Sequence, residues 1–182
     1  MQDAPESKMI EHMSAKFDLL SSPLNSLNIN YSFELAIVHE DEPARRLAVQ
    51  LYDNLYGQLS RECYFTHSCW SLEELSEAWK LEEASAAAAR ADMVVLALNA
   101  GRELPALMSV WIESWVAQKE WRKSALVVLV GNRPAPSAPD FWPVRGYLQK
   151  VAQMARMDFF FHAAESAPEL PYSLLGMNLS RK

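Results

Sequence analysis

Leu35-Ala36-Ile37-Val38-His39-Glu40-Asp41-Glu42-Pro43-Ala44-Arg45-Arg46-Leu47 is the stretch whose reading decides the fold. A strand-like apolar run stops at an acidic turn, and an amphipathic pattern starts straight after it. Pro43 falls in the first turn of that helix, where a missing N–H costs nothing. Its buried stripe reads Leu47, Leu51, Tyr52 and Leu55, with Gly57 near the end. A strand feeding directly into a helix is the first half of a parallel crossover, which needs further strands beside the first.

Four more apolar runs supply them. The first run covers Phe33 to Val38, and the others about Glu62 to Thr66, Met93 to Leu98, Ala125 to Val130 and Asp158 to Phe161. The third and fourth are apolar at every position, as strands covered on both faces must be. Ser71-Leu-Glu-Glu74 reads as a capping box opening the second helix, followed by Leu72, Leu75 and Trp79 at helical spacing. A break is expected near Lys80 to Glu83, before an alanine-rich piece from Ala84 to Arg90. The third helix, about Leu104 to Lys119, carries one stripe of Leu104, Leu107, Met108, Trp111, Ile112 and Trp115, with Glu113, Ser114 and Lys119 mostly off it. A proline-rich loop, Arg133 to Pro143, precedes a fourth helix from about Val144 to Met157. Alternating strands and helices imply an α/β fold of three layers, with a five-stranded parallel sheet in the order 2-1-3-4-5.

The two ends depart from that scheme. After the fifth strand, Pro168 and Pro171 make a long helix unfavourable, so the last helix of the fold is missing or replaced. One sheet face is then covered mainly by the first helix, and residues 1–32 or another subunit must complete it. Met9, Met13, Phe17 and Leu20 suit a packing helix, while Ser21 to Asn30 is polar and breaker-rich. The expected organisation is an N-terminal segment 1–32, a domain 33–162 and a tail 163–182.

Composition narrows the function classes. The 182 residues are 50% hydrophobic and 22% charged, with a formal net charge of -6. That sign disfavours nucleic acid and anionic membrane surfaces. There is no signal-peptide pattern at the N-terminus and no membrane-length apolar run. The only two cysteines, Cys63 and Cys69, do not make a disulfide framework and suit a reducing cytoplasm. The five glycines form neither Gly-x-Gly-x-x-Gly nor a P-loop. The acidic first turn would repel a phosphate, so no flavin, NAD or other cofactor is expected.

The opening strand and acid pair resemble the start of response-regulator receiver domains, which share the flavodoxin-like topology. The resemblance covers about Phe33 to His162. It implies that Glu40 and Asp41 stand where a receiver holds magnesium, in a turn one residue longer. Ala97 stands where the phosphate-accepting Asp would be. Gly131 or a neighbour takes the place of Thr or Ser, and His162 or Ala163 falls near the Lys position. Two carboxylates without a third leave a magnesium site short of oxygen ligands. The resemblance therefore implies a degenerate receiver that is not phosphorylated in the usual way. A second resemblance, carried by Ala91 to Leu98, Glu103-Leu-Pro105, Trp111-Ile-Glu-Ser-Trp115 and Met157-Asp-Phe-Phe160, is to a group of uncharacterised bacterial proteins and implies no activity.

In open parallel sheets, ligands bind beyond the carboxyl ends of the strands at the switch point. That rule selects His39, Glu40, Asp41, Asn99, Arg102, Asn132 and His162 as candidate ligand-binding residues. For Glu40 and Asp41 the simpler role is a solvated, helix-capping turn. Cys63, His67 and Cys69 point to one side of an extended strand, and with His39 they form the alternative of a zinc site. Ordinary core cysteines are the simpler reading. Ser109-Val-Trp-Ile-Glu113 is similar to Toll/interleukin-receptor domains, some of which cleave NAD with a Glu on this helix; Glu113 more simply faces solvent. Trp111 and Trp115 read as core, whereas Trp142 in the proline-rich loop suggests a partner.

Together these readings lead to a cytoplasmic, bacterial, non-enzymatic module acting through protein contacts, as a homodimer or in a regulatory complex. The alternative is an enzyme or small-ligand binder using the strand ends.

Overall fold

Backbone pairing turns all five apolar runs into strands of one sheet. The computed structural model describes residues 31–99, 103–131 and 142–163. The strands are β1 (Ser32–His39), β2 (Tyr64–Ser71), β3 (Met93–Asn99), β4 (Ala125–Gly131) and β5 (Asp158–Ala163). Every pairing is parallel, in the order β2-β1-β3-β4-β5. The helices between them are α1 (Glu42–Leu59), α2 (Ala78–Arg90), α3 (Ala106–Val116) and α4 (Trp142–Met154). The expected three-layer α/β fold and strand order are both present.

The two faces follow from the period of a strand. Ala36, Val38, Val94, Leu96, Leu98, Leu126, Val128 and Val130 point to the face covered by α2, α3 and α4. Trp111 and Trp115 pack into that core with no exposed surface, as their spacing predicts. The residues between them, including Leu35, Ile37, Met93, Val95, Val127 and Leu129, form the buried opposite face. Among the described helices, α1 serves that face through Ala44, Ala48, Leu51 and Leu55. The expected stripe placed Leu47 and Tyr52 there as well, and both are half-buried. The small Ala44 and Ala48 take the innermost positions because α1 lies close to the sheet. A Cβ on Gly131 would come within 2.9 Å of Leu47 Cδ1, so glycine on β4 permits that approach.

Several boundaries move from their expected positions. β2 runs to Ser71 rather than Thr66, because all eight residues of β1 find a partner in it. An edge strand with polar Thr66, Ser68 and Ser71 carries no continuous apolar signal, but its backbone pairs all the same. The capping box forms as read: Ser71 N–H donates to Glu74 Oε2 at 2.8 Å, and Glu74 N–H donates to Ser71 Oγ at 3.2 Å. It opens only a 3-10 turn, Glu74–Ser76, and the break falls at extended Glu77 rather than near Lys80 to Glu83. The α-helix then starts at Ala78 and runs through the alanine piece unbroken, leaving Trp79 exposed instead of buried.

Lys119 is the clearest correction. Expected off the buried stripe, it is 6% exposed beyond the end of α3. Its ammonium donates to the carbonyls of Ala88, Ala89 and Ala91 at 3.3, 3.2 and 2.5 Å. These are orphan carbonyls of the last turn of α2, where a cation is favoured. Helical spacing reveals a stripe, but not a neighbouring helix end that needs donors. The expectations for residues 1–30, 132–141 and the tail after Ala163 lie outside the described residues, whereas Trp142 and Pro143, expected in the proline-rich loop, open α4.

Candidate functional site

The carboxyl ends of β1 and β3 bring four of the expected residues together. Glu40 follows β1, and its N–H donates to Ala97 O at 2.9 Å, so the chain stays paired to β3 past the strand's end. Its carboxylate then reaches across: Asn99 N–H donates to Glu40 Oε2 at 2.9 Å. Asp41 has an extended backbone and is the N-cap of α1, with Ala44 N–H donating to Oδ1 at 2.9 Å. The other Asp41 oxygen accepts from the Asn99 side-chain amide. An N-cap carboxylate satisfies a donor that a helix start leaves over, and its charge suits the helix dipole. Both acids are therefore committed to holding β1, β3 and α1 in register.

His39 is 8% exposed at the end of β1. Its Nδ1 lies 3.2 Å from Asp41 O, and its own carbonyl accepts from Leu72 N–H at 2.8 Å. Burial lowers the pKa of the ring below the usual histidine value, partly opposed by the hydrogen bond to Asp41. A buried imidazole of this kind favours the neutral form.

The remaining candidates are scattered. Ala97, which the sequence resemblance set at a receiver's acceptor position, is fully buried between His39 and Leu129 in the sheet register. His162 lies in the same row on β5, beside Leu129. Three strand spacings separate it from His39, roughly 14 Å. It lies within β5 rather than ending it. Asn99 Oδ1 and His162 Nε2 are buried without a hydrogen-bond partner among the described residues. Arg102 and Asn132 lie outside the described residues.

The zinc alternative does not assemble. Cys63 precedes β2 and points its thiol at Leu59 O, 3.4 Å away. His67 packs against Tyr52 with the rings tilted by 49° and their centroids 4.4 Å apart, and Cys69 lies two residues further along the strand. Among the described residues no group of three or more His, Cys, Asp or Glu side chains is placed to hold a metal. Burial also pushes the Cys63 thiol up, away from the thiolate that a metal requires. Glu113 is exposed on α3 and lines a cavity at the opposite end of the sheet.

A flavin is the cofactor that this fold commonly carries at the β1/β3 switch point. The residues here do not fit its phosphate. Anion sites at a helix start rely on free N–H groups. At α1 Asp41 occupies such a group and Glu42 adds a second negative charge in the first turn. What the sequence could not show was the role of Asn99 as the receiver of both acids. That pairing spans 58 and 59 positions and is set by sheet order alone.

No family model matches the chain, and no curated protein matches it. Solved structures do. An oxidoreductase from Corynebacterium diphtheriae aligns with a TM-score of 0.58 at 17% identity, over 79% of this chain and 88% of that one. A Streptococcus pneumoniae flavodoxin aligns at 0.48 and 12%, over 76% and 88% of the two chains. The flavodiiron core from Synechocystis aligns at 0.47 and 14%, over 75% of this chain and 31% of that larger one. The parallel order β2-β1-β3-β4-β5 is the flavodoxin-like topology, and the first of these structures shares the fold. No helix among the described residues is long and apolar enough to cross a membrane.

Proposed function

We propose that this chain is a degenerate, receiver-like module of the bacterial cytoplasm, which works through contacts with protein partners or a second copy. One observation carries the reading. The acid pair that would otherwise serve chemistry at the strand ends is spent on the Asn99 and Ala44 backbone and on the Asn99 amide. With Ala97 at the acceptor position, phosphoryl transfer has no nucleophile there, and the capped start of α1 opposes a phosphate-bearing cofactor.

The enzyme or small-ligand alternative draws support from Asn99 Oδ1 and His162 Nε2, which lie near the carboxyl ends of their strands and are unpartnered among the described residues. Native mass spectrometry of the purified protein, followed by its denatured mass, separates the readings. Incubation with acetyl phosphate and magnesium, and titration with FMN, complete the test. The expected result is an assembly of more than one 20.6 kDa chain with no added mass, no phosphoryl adduct and no FMN binding. A monomer carrying a mass lost on denaturation, or a saturable FMN complex, refutes the proposal.

A further inference from the structure

At the amino-terminal ends of β4 and β5, far from the candidate site, α3 and α4 enclose a cavity of about 770 Å³. Its floor is apolar, with buried Ile112 and Val151 and half-buried Val116 and Tyr147. Its mouth carries Trp121, 84% exposed, and Met154, 65% exposed. Together with the apolar floor they make one contiguous apolar patch rimmed by charged side chains, the arrangement that partner-binding surfaces use.

The polar groups around it have a definite sign. Lys119, Arg122, Lys123 and Arg156 line the cavity against Glu113 and Glu120. Two of the cations are committed inside the domain. Lys119 holds the end of α2. Arg122 lies 3.6 Å from Asp92 and 3.9 Å from Glu120. Lys123 and Arg156 have no carboxylate partner among the described residues. The cleft is thus locally positive on a chain whose net charge is -6.

Arg156 is held in place by the way α4 ends. Met157 N–H donates to Ala152 O at 2.8 Å and Arg156 N–H to Gln153 O at 3.1 Å, the pattern of a Schellman cap. Arg156 takes the left-handed position with φ 55°, where glycine is usual. The side chain that glycine would lack lies over the Trp121 ring, its guanidinium carbon 3.8 Å from the centroid. That stack keeps a flat indole and a cation together at the mouth.

We propose that this cleft receives an acidic peptide segment of a partner protein, with an apolar residue entering between α3 and α4 and its carboxylates meeting Lys123 and Arg156. The inference deepens the protein-contact reading and rests on it. Nucleic acid is the weaker occupant, since two uncommitted cations give little phosphate neutralisation against the overall charge.

The test is selection of a random 12-residue peptide display library on the full-length protein. Enriched peptides should combine two or more acidic residues with an aromatic or aliphatic one. Their affinity should fall at least tenfold in Lys123→Glu/Arg156→Glu and in Trp121→Ala, and should rise in Glu113→Lys, which also guards against loss by misfolding. It should not change in Gln50→Ala, an exposed position of α1 on the opposite face of the sheet. Enrichment of neutral or basic peptides, no enrichment, or peptide binding indifferent to these variants overturns the proposal. So does tighter binding of a dT12 oligonucleotide through the same side chains. Conversion of an oligomer to monomer by the cleft variants, with no peptide selected, assigns the cleft to a second copy instead. None of these results involves FMN or acetyl phosphate, so the cleft can fail while the protein-contact reading stands.

Discussion

Replacing Asp41 by alanine should destabilise the domain, and the size of the effect separates a structural acid from a functional one. The variant loses the N-cap bond to Ala44 N–H at 2.9 Å and the partner of the Asn99 amide. Loss of an N-cap costs about 1 kcal/mol. A half-exposed charged hydrogen bond adds about 1 kcal/mol, at the low end of its range because water screens it. Relief of repulsion from nearby Glu40 and Glu42 returns roughly 0.5 kcal/mol. The net loss is about 1.5 kcal/mol, a fall in Tm of about 3–6 °C for a chain of this length. Asp41→Asn keeps the capping oxygen and should lose only about 0.5 kcal/mol, the charge component at the helix start. Urea unfolding followed by far-UV circular dichroism, with equal m-values for the variants, measures both. A neutral or stabilised Asp41→Ala would refute the argument, since removal of an acid kept for function, crowded between two others, commonly stabilises.

Gly131→Ala should cost about 1 kcal/mol, because the new methyl meets the mobile end of Leu47, and Leu47→Ala in the same chain should remove most of that cost. Burial, chiefly, and Arg122 lower the Lys119 ammonium to about 8, below its unfolded value of 10.5. The folded state therefore binds fewer protons between those values, so this group makes stability rise from pH 8 to 10.5. Lys119→Met should flatten that rise in urea titrations while destabilising the protein at pH 7, where the Ala88 and Ala91 carbonyls lose their side-chain donor and Ala89 O keeps only Glu120 N–H. His39 follows the same sign at lower pH: its contribution is intact above the unfolded value of 6.5 and is lost as pH falls below it. His39→Gln should make stability between pH 7 and 5 less steep, and an unchanged slope would show that the ring titrates freely.

The architecture was legible because its signals are local. Two fully apolar runs, Met93 to Leu98 and Ala125 to Val130, announce central parallel strands by themselves. Helical spacing then places Trp111 and Trp115 in the core, and Ser71 to Glu74 names its own cap. Alternation of strand and helix with the usual chain-order rules supplies the sheet order. The edge strand β2 was foreshortened because half of its residues face water and only pairing with β1 defines its end. Tertiary structure alone decided what the polar side chains do. Glu40 and Asp41 read as a helix-capping turn, and Asp41 is that cap, but only folding brought Asn99, nearly sixty positions away, to draw both into the joint between β1, β3 and α1. Lys119 read only as a position off the apolar stripe until the end of α2 met it. Arg156 and Trp121 carry no shared motif, and only the turn after α4 stacks them. Apolar burial is written as a period along the chain, whereas a charge takes its role from the partner that folding brings within 3 Å, and that partner has no fixed distance in sequence.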